Sequence, residues 1–543
     1  MKYIIAYDVG TTSLKAALFK VDKKIELIAD ANDGYPLYTL PNGGSEQDPN
    51  DWWKAMQSTT KEIFSKCKIK PNMVDGISFC SQMQSVVIVD KDGNAIRRSM
   101  GYMDQRATEE VKKGISYGLQ IANANIFKLI PSLVITGAVT STPKDPVWKY
   151  KWIEAHEPEN FKKIYKWLDV KDYLTMRCTD RFTMTRDDAF STLILDSRDG
   201  KYCWSKKMCK MFNINMEHLP EIIKSCDVVG ELTEKAAKDL GLVKGIKVFG
   251  GGGDSSLLGI GAGSTKVGDT HIYCGTSGWV STVTDKRLVD TTYMIAAITG
   301  AIENRFNYFA EMETAGKCFE WVRDHLCLDE INIYLEKKHV ADPSFEEKAI
   351  SLYTHMNHVV EEVPAGSNGI IFTPWLHGNR CPFEDPNARG MFFGVGINTK
   401  KRELLRSVLE GIYFHLRWML ECQDKKVKTS DEIMFVGGGA ISHTGCRILA
   451  NILGRTIKTT VNPQNAGSVG AAIIAAVGLN EIPSIDDASK YIEIYDIYKP
   501  DMKVHAQYEP YYQLFKKIYN TNKKLFKEQG DILKWKIRRN FLE

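Results

Sequence analysis

Tyr3-Ile4-Ile5-Ala6-Tyr7-Asp8-Val9-Gly10-Thr11-Thr12-Ser13-Leu14-Lys15 begins as an apolar strand and breaks into a turn, and the run on to Asp22 reads as a second strand returning beside the first. Past the middle of the chain the device recurs. Residues 271–285 read as a strand, a Gly275-Thr276-Ser277-Gly278 turn and another strand. Each turn combines glycine-freed backbone N–H groups with hydroxyls, a concave donor surface suited to an anion such as phosphate. Two such surfaces suit the two sides of a polyphosphate, so the repeat predicts two lobes facing one cleft and a phosphoryl-transfer protein.

Composition narrows the class. The 543 residues are 43% hydrophobic and 25% charged, as in an ordinary globular protein of several average domains or two large lobes. The formal net charge of +4 is too small to argue for a nucleic acid or a membrane as partner. The opening apolar run ends at Asp8, so it does not read as a secretory signal. No stretch reaches the roughly 18–20 apolar residues of a membrane span, and the alanine-rich 470–478 comes nearest. The 12 cysteines form no C-x-x-C pair and no zinc-like cluster, so reduced thiols and a cytoplasmic location are expected. Cys274, beside the second turn, reads either as a reactive thiol or as a small core residue.

Alternating apolar runs and amphipathic segments predict α/β architecture. Strands are expected at 4–7, 15–21, 76–79, 86–89, 246–249 and 432–436. Asp48-Pro49 ahead of Trp52-Trp53 reads as a capped helix start. Further helices are expected at 401–423, 443–453, 467–478 and 508–526, and the basic tail from Ile532 reads as a solvated surface helix. The lobe boundary is placed near 263–268.

Neither G-x-x-x-x-G-K-[ST] nor G-x-G-x-x-G occurs, so P-loop and dinucleotide-binding geometries are excluded. Asp8, at the end of a buried strand, can hold Mg²⁺, which takes few protein ligands, or can cap the turn as an Asx residue. Lys15 reaches a phosphate or lies on a hairpin edge. Asp254 closes the run Gly250-Gly251-Gly252-Gly253, either at the lip of a pocket that a substrate approaches closely or as an N-cap for the next helix. Gly437-Gly438-Gly439 after an apolar strand reads as a plain loop or as a contact for a nucleotide's sugar and base.

In their order along the chain these residues resemble the FGGY carbohydrate kinases, of the actin/hexokinase/heat-shock ATPase superfamily. Asp8 to Lys15 is similar to the first phosphate segment, and Ser45-Glu46-Gln47-Asp48-Pro49 before Trp52-Trp53 to a typical FGGY loop. Ser81-Gln82-Met83-Gln84, Asp90 to Gly93 and Asp104-Gln105-Arg106 resemble the sugar-binding wall of xylulose kinases. Lys149 to Trp152 with Glu157-Pro158-Glu159, Gly251 to Asp254, Gly275 to Gly278, Asp385 to Gly390 and Gly437 to Ala440 follow in family order.

The resemblance implies an ATP-dependent sugar kinase with two actin-like (ribonuclease H-like) lobes around a central nucleotide/sugar cleft. Residues 1–265 would form the N-terminal lobe, 266–500 the C-terminal lobe and 501–543 a helical extension. It implies that Asp254 takes the proton of the acceptor hydroxyl and that Asp8 organises Mg²⁺. It further implies that Gly10, Thr11, Thr12, Ser13 and Lys15, with Gly275, Thr276 and Ser277, cradle the phosphates of ATP. Gly438 and Gly439 would lie against the nucleotide, and Gln82, Met83, Gln84 and Asp104 would line the sugar pocket.

The chain departs from xylulose kinases at Gln84, where they usually carry histidine, and at Ser81, where they usually carry glycine. Glutamine still exchanges hydrogen bonds with a hydroxyl, so a polyol pocket survives while its stereochemical preference is open. Xylulose leads as acceptor, with ribulose, glycerol, erythritol or another ketose or polyol behind it. An actin-like ATPase and a catalytically silent sugar sensor are the readings from other classes. Monomer and homodimer are both left open.

Overall fold

Each copy of the strand–turn–strand device lies at the centre of its own sheet. The structure, a computed structural model, describes residues 1–121, 124–327, 353 and 356–540, with backbone alone for 327 and 534–540. In the first half, β1 (Lys2–Val9) and β2 (Ser13–Val21) form an antiparallel hairpin that pairs Asp8 with Lys15, and β3 (Ile25–Gly34) continues it. On its other side β1 runs parallel to β4 (Gly76–Ser81). Beyond β4 lie β6 (Lys247–Phe249), parallel to it, and the antiparallel edge strand β5 (Val228–Glu231). A two-residue strand, β7 (Gly252–Gly253), pairs with the end of β4.

The second sheet repeats the plan. Its hairpin is β8 (Thr270–Cys274) and β9 (Gly278–Thr284), flanked on the β9 side by β12 (Phe306–Met312), β11 (Ile295–Thr299) and β10 (Val289–Asp290). On the β8 side follow β13 (Glu432–Val436) and β14 (Thr456–Thr460), both parallel, then β15 (Ile494–Tyr498). Two sheets of this order, each with helices on its faces, make the actin-like, ribonuclease H-like architecture.

The lobes exchange helices. α2 (Asp254–Gly261) follows the first sheet, yet its Leu258 packs with Trp279 and Val436 of the second. α6 (Ala466–Gly478) follows the second sheet and packs its alanines on Ile4, Ala6, Ala17 and Phe19 of the first. The two helices cross in close contact. A Cβ on Gly261 would run into the carbonyl of Ala466, and one on Gly470 into that of Leu257. The small-residue face of the 467–478 segment is thus explained by backbone-to-backbone packing.

α1 (Pro49–Lys66) starts as expected. Asp48 caps it by accepting from Asn50 N at 2.9 Å, and Trp52 is fully buried with its ring edge-on to Tyr173. α4 (Lys401–Asp424) and α5 (His443–Leu453) also fall where the apolar periodicity places them. The last helix, α7 (Met502–Asn540), is longer than the 508–526 segment expected. Its apolar face ends near Phe526, because Tyr508, Tyr512, Phe515, Ile518 and Phe526 fill the second core, whereas the flanking turns carry charges that give no apolar period. The side chains of the basic tail from 534 lie outside the described residues. A separate core, with Trp148, Tyr150, Trp167 and Ile194, supports the loops inserted after β4 that carry residues 82–84 and 104.

Candidate active site

The first turn is held from behind. Gly10 N donates to Ser13 O at 2.9 Å, closing the turn. Tyr35 Oη donates to the carbonyls of Gly10 (2.5 Å) and Ser13 (3.0 Å), and Tyr35 N donates to Thr12 O at 3.0 Å. Gln82 Nε2 donates to Gly10 O (3.0 Å) and Gln47 Nε2 to Thr11 O (2.7 Å). The C=O and N–H of a peptide unit point in opposite directions, so carbonyls gripped from inside leave the amide edge facing out. The second turn is built the same way by other means. Ala315 N and Gly316 N, at the start of α3 (Gly316–Val322), donate to the carbonyls of Thr276 (3.0 Å) and Gly275 (2.8 Å). A side chain on Gly316 would strike the Gly275 carbonyl.

Sheet register sets the carboxylates near one another. Asp8 of β1 pairs with Cys80 of β4, which pairs with Gly252 of β7, two residues before Asp254. Two strand spacings separate the ends of β1 and β7, about 10 Å. The Asp8 carboxyl is pushed above its ordinary range by burial, against the pull of Lys15 across the hairpin and a hydrogen bond from the Cys80 thiol. No hydrogen bond joins it to the turn backbone among the described residues, which removes the Asx-cap alternative. An added Cβ on Gly467, at the start of α6, would meet Asp8 Oδ2 at 2.6 Å, so only glycine leaves this carboxylate room.

Asp254 is the first residue of α2, one position inside the helix, and the N-cap is Gly253. Its Oδ1 accepts from Ser255 N at 2.7 Å. Burial pushes its carboxyl up to about 7, helped by the charges of Asp8, Glu311 and Asp169 and opposed by the Ser255 amide. The glycines ahead of it serve the chain's own packing rather than the close approach of a ligand. Gly251 has φ 68° and lies on the Phe79 backbone, Gly252 lies on Asp187, and Gly253 lies on the Met83 sulfur. Asp187, fully buried, accepts from Gly253 N at 2.8 Å and so fixes the peptide that presents Asp254.

Of the residues expected to line a sugar pocket, Met83 lies beside the helix start that presents Asp254. Met83 Sδ lies 3.1 Å from Ser255 Oγ. Gln82 Nε2 bridges Gly10 O and Gln47 Oε1, and its buried Oε1 has no partner among the described residues, an acceptor suited to a ligand hydroxyl. Gln84 adopts the left-handed region at φ 63°, and its carbonyl accepts from Lys149 Nζ at 2.7 Å. Lys149 also reaches Gly101 O at 2.7 Å, so one buried ammonium, pushed down to about 8 by burial, ties both loops of the wall. Asp104 is fully buried and its oxygens are taken up by Ser45 N and the Arg106 guanidinium, so it shapes the wall from behind. Thr11 Oγ1 donates to Tyr102 Oη at 3.4 Å, linking the first turn to the loop that follows Gly101.

The glycine run borders the second turn. Gly437 (φ 92°) and Gly439 lie on Cys274, the residue before that turn, where a Cβ would come within 3 Å. Gly438 faces open space. Cys274 is buried and its thiol is pushed up to about 12, which suits the core-residue alternative and not a reactive thiol.

Some residues of the site escape sequence reasoning. Tyr273 stacks on Trp279 with centroids 4.0 Å apart and crosses the face of Gly275 and Gly437. Burial and then the Asp8 and Asp254 charges push its phenol up, which places its ring near both carboxylates. In the sequence it reads only as a β-favouring strand residue. Lys149 stands in a recognised motif, but its role appears only once the two loops it bridges are together.

Known proteins match this geometry along the chain. The model of the FGGY family of carbohydrate kinases, N-terminal domain, matches residues 3–261, and that of the family's C-terminal domain matches residues 271–479. A xylulose kinase of Staphylococcus epidermidis is 29% identical over 525 residues, covering 96% of this chain and 97% of that protein. The crystal structure of ligand-bound xylulose kinase from Lactobacillus acidophilus superposes with a TM-score of 0.81 at 26% identity, covering 97% of this chain and 100% of that one. Gluconate kinase from the same organism gives 0.79 at 26% identity, covering 96% and 98%.

Proposed function

The chain belongs to the FGGY family of carbohydrate kinases, and we propose that it transfers the γ-phosphoryl group of ATP to the primary hydroxyl of a ketopentose, converting xylulose to xylulose 5-phosphate. The observation that carries this reading is Asp254, lifted to about 7 beside the Gln82–Met83 wall and within reach of Asp8's charge. A base of that proton affinity is half-ionised near neutral pH, where general-base catalysis is most effective.

In this reading Asp254 accepts the hydroxyl proton as the sugar oxygen attacks phosphorus. The new O–P bond forms as the bond to the β-phosphate oxygen breaks, and ADP leaves. The Gly10–Ser13 turn with Lys15 and the Gly275–Ser277 turn donate to the phosphates from the two lobes, and Gly438 and Gly439 lie along the adenosine. Gln82, Met83, Gln84 and Asp104 shape the sugar wall. The lobes divide at residue 265, and residues 501–543 extend the second.

Asp8 also suits a divalent cation. A buried carboxylate whose proton affinity burial has raised is relieved by a metal that keeps most of its waters. Magnesium bound there would neutralise charge on the phosphates. No helix among the described residues is long and apolar enough to cross a membrane.

A coupled ADP-release assay over xylulose, ribulose, glycerol and erythritol, with the product's phosphate located by NMR, tests the reading. The expected result is the highest kcat/KM for xylulose and phosphate on C5. ATP turnover indifferent to every acceptor would favour an ATPase, and sugar binding without turnover a sensor. A second reading, an aldonate acceptor, is favoured by the likeness to gluconate kinase.

A further inference from the structure

The second lobe presents its own row of groups to the acceptor side of the cleft. Along β12 the even residues Phe306, Tyr308, Ala310 and Met312 are core, and the odd residues Asn307, Phe309 and Glu311 face the other way. That odd face looks at α2. Asn307 Nδ2 donates to Ser255 O at 3.2 Å, Phe309 packs on Trp279, and Glu311 pairs across the sheet with Trp279. Two residues past Glu311, Glu313 reaches across the lobes to Lys144 Nζ at 3.4 Å. Glu311 therefore shares a strand face with Asn307, which touches Ser255, the residue that also meets Met83. Its charge is felt both by Asp254 and by Tyr102 at the pocket mouth.

Glu311 Oε2 accepts from Arg380 Nη1 at 2.7 Å. Around that guanidinium also stand Glu313, Asp145 of the first lobe and Glu384. Cations on this side are thus already engaged: Arg380 by Glu311, Lys144 by Glu313, and Lys149 by the carbonyls of Gln84 and Gly101. Carboxylate ligands are recognised by a guanidinium or ammonium free to pair with them, and are rejected by carboxylates nearby.

We propose that Glu311, held on Arg380, forms the second-lobe wall of the acceptor pocket and makes it select uncharged ketoses and polyols over aldonates. This rests on the kinase reading above and deepens it by fixing the substrate class. Glu311 acts here as a specificity-determining residue.

The test compares xylulose and gluconate as acceptors for the unaltered full-length protein and for Glu311→Gln. The unaltered protein is expected to use xylulose with a kcat/KM at least about a hundredfold above that for gluconate. Glu311→Gln removes a negative charge from the second-lobe wall and frees a guanidinium N–H, so the ratio is expected to fall by on the order of tenfold, chiefly through a lower KM for gluconate. Adding Arg380→Gln to that variant should take the gain away. A purely structural Glu311 would change both acceptors alike. Should Glu311→Gln not fold, inhibition of xylulose turnover by gluconate in the unaltered protein decides the matter: tight competitive inhibition overturns the proposal, and weak or absent inhibition is expected. Comparable turnover of the two acceptors, or an unchanged ratio in a folded Glu311→Gln, overturns this inference alone. Turnover of neither acceptor overturns the kinase reading and this inference with it.

Discussion

Asp254 concentrates the chemistry at the residue scale. A solvated aspartate titrates near pH 3.9, and this one is lifted to about 7 because burial strips water from the charged form and Asp8 adds a like charge. The ionised form is the base, so its population falls as pH drops through that value. The log of kcat/KM for the sugar should therefore bend near pH 7 and decline with a slope of about one per unit below it. A pH–rate profile flat down to pH 5 would contradict the assignment. The residues that make this environment differ in how legible they are. Asp8 and the Gly-Thr-Thr turn stand out because glycine beside hydroxyls is a local signal. Asp187, Tyr273 and Glu311 do not, because each acts through a neighbour distant in the chain: the Gly253 amide, the Gly437 face and the Arg380 guanidinium.

At the scale of elements, α2 and α6 decide whether the two sheets hold a common cleft. Their crossing leaves no room for a Cβ at Gly261, which would fall on the Ala466 carbonyl. Gly261→Ala should destabilise the protein by about 1–3 kcal/mol through overpacking at a backbone contact that cannot yield. Urea unfolding of the variant checks this, and an unchanged midpoint would show that the helices have slack. The sequence locates α5 to the residue by its clear apolar period, and α6 by its alanine-rich run, which is apolar on nearly every face. It cannot say that each helix packs on the sheet of the other lobe, because small apolar faces fit either. The extent of α7 is missed for the opposite reason: helix continues past the apolar face, where charged turns give no period.

The whole molecule joins its lobes by more than the helix crossing. Lys144–Glu313 bridges the acceptor side, and Arg186 and Lys224 both reach Glu303 of the second lobe at 3.0 and 2.8 Å. The Arg287 guanidinium donates to the carbonyls of Val134 (3.0 Å) and Leu133 (3.3 Å). In the proposed reading the two turns and Asp254 share a crevice between lobes tied on these sides, and water is excluded from it as the substrates meet. The most direct measurement is sugar-dependent ADP release by Asp254→Asn beside the unaltered protein, with ATP binding followed by calorimetry. The account predicts turnover lower by about 10²–10⁴-fold with ATP affinity within a factor of about three. Near-normal turnover by the folded variant would contradict it.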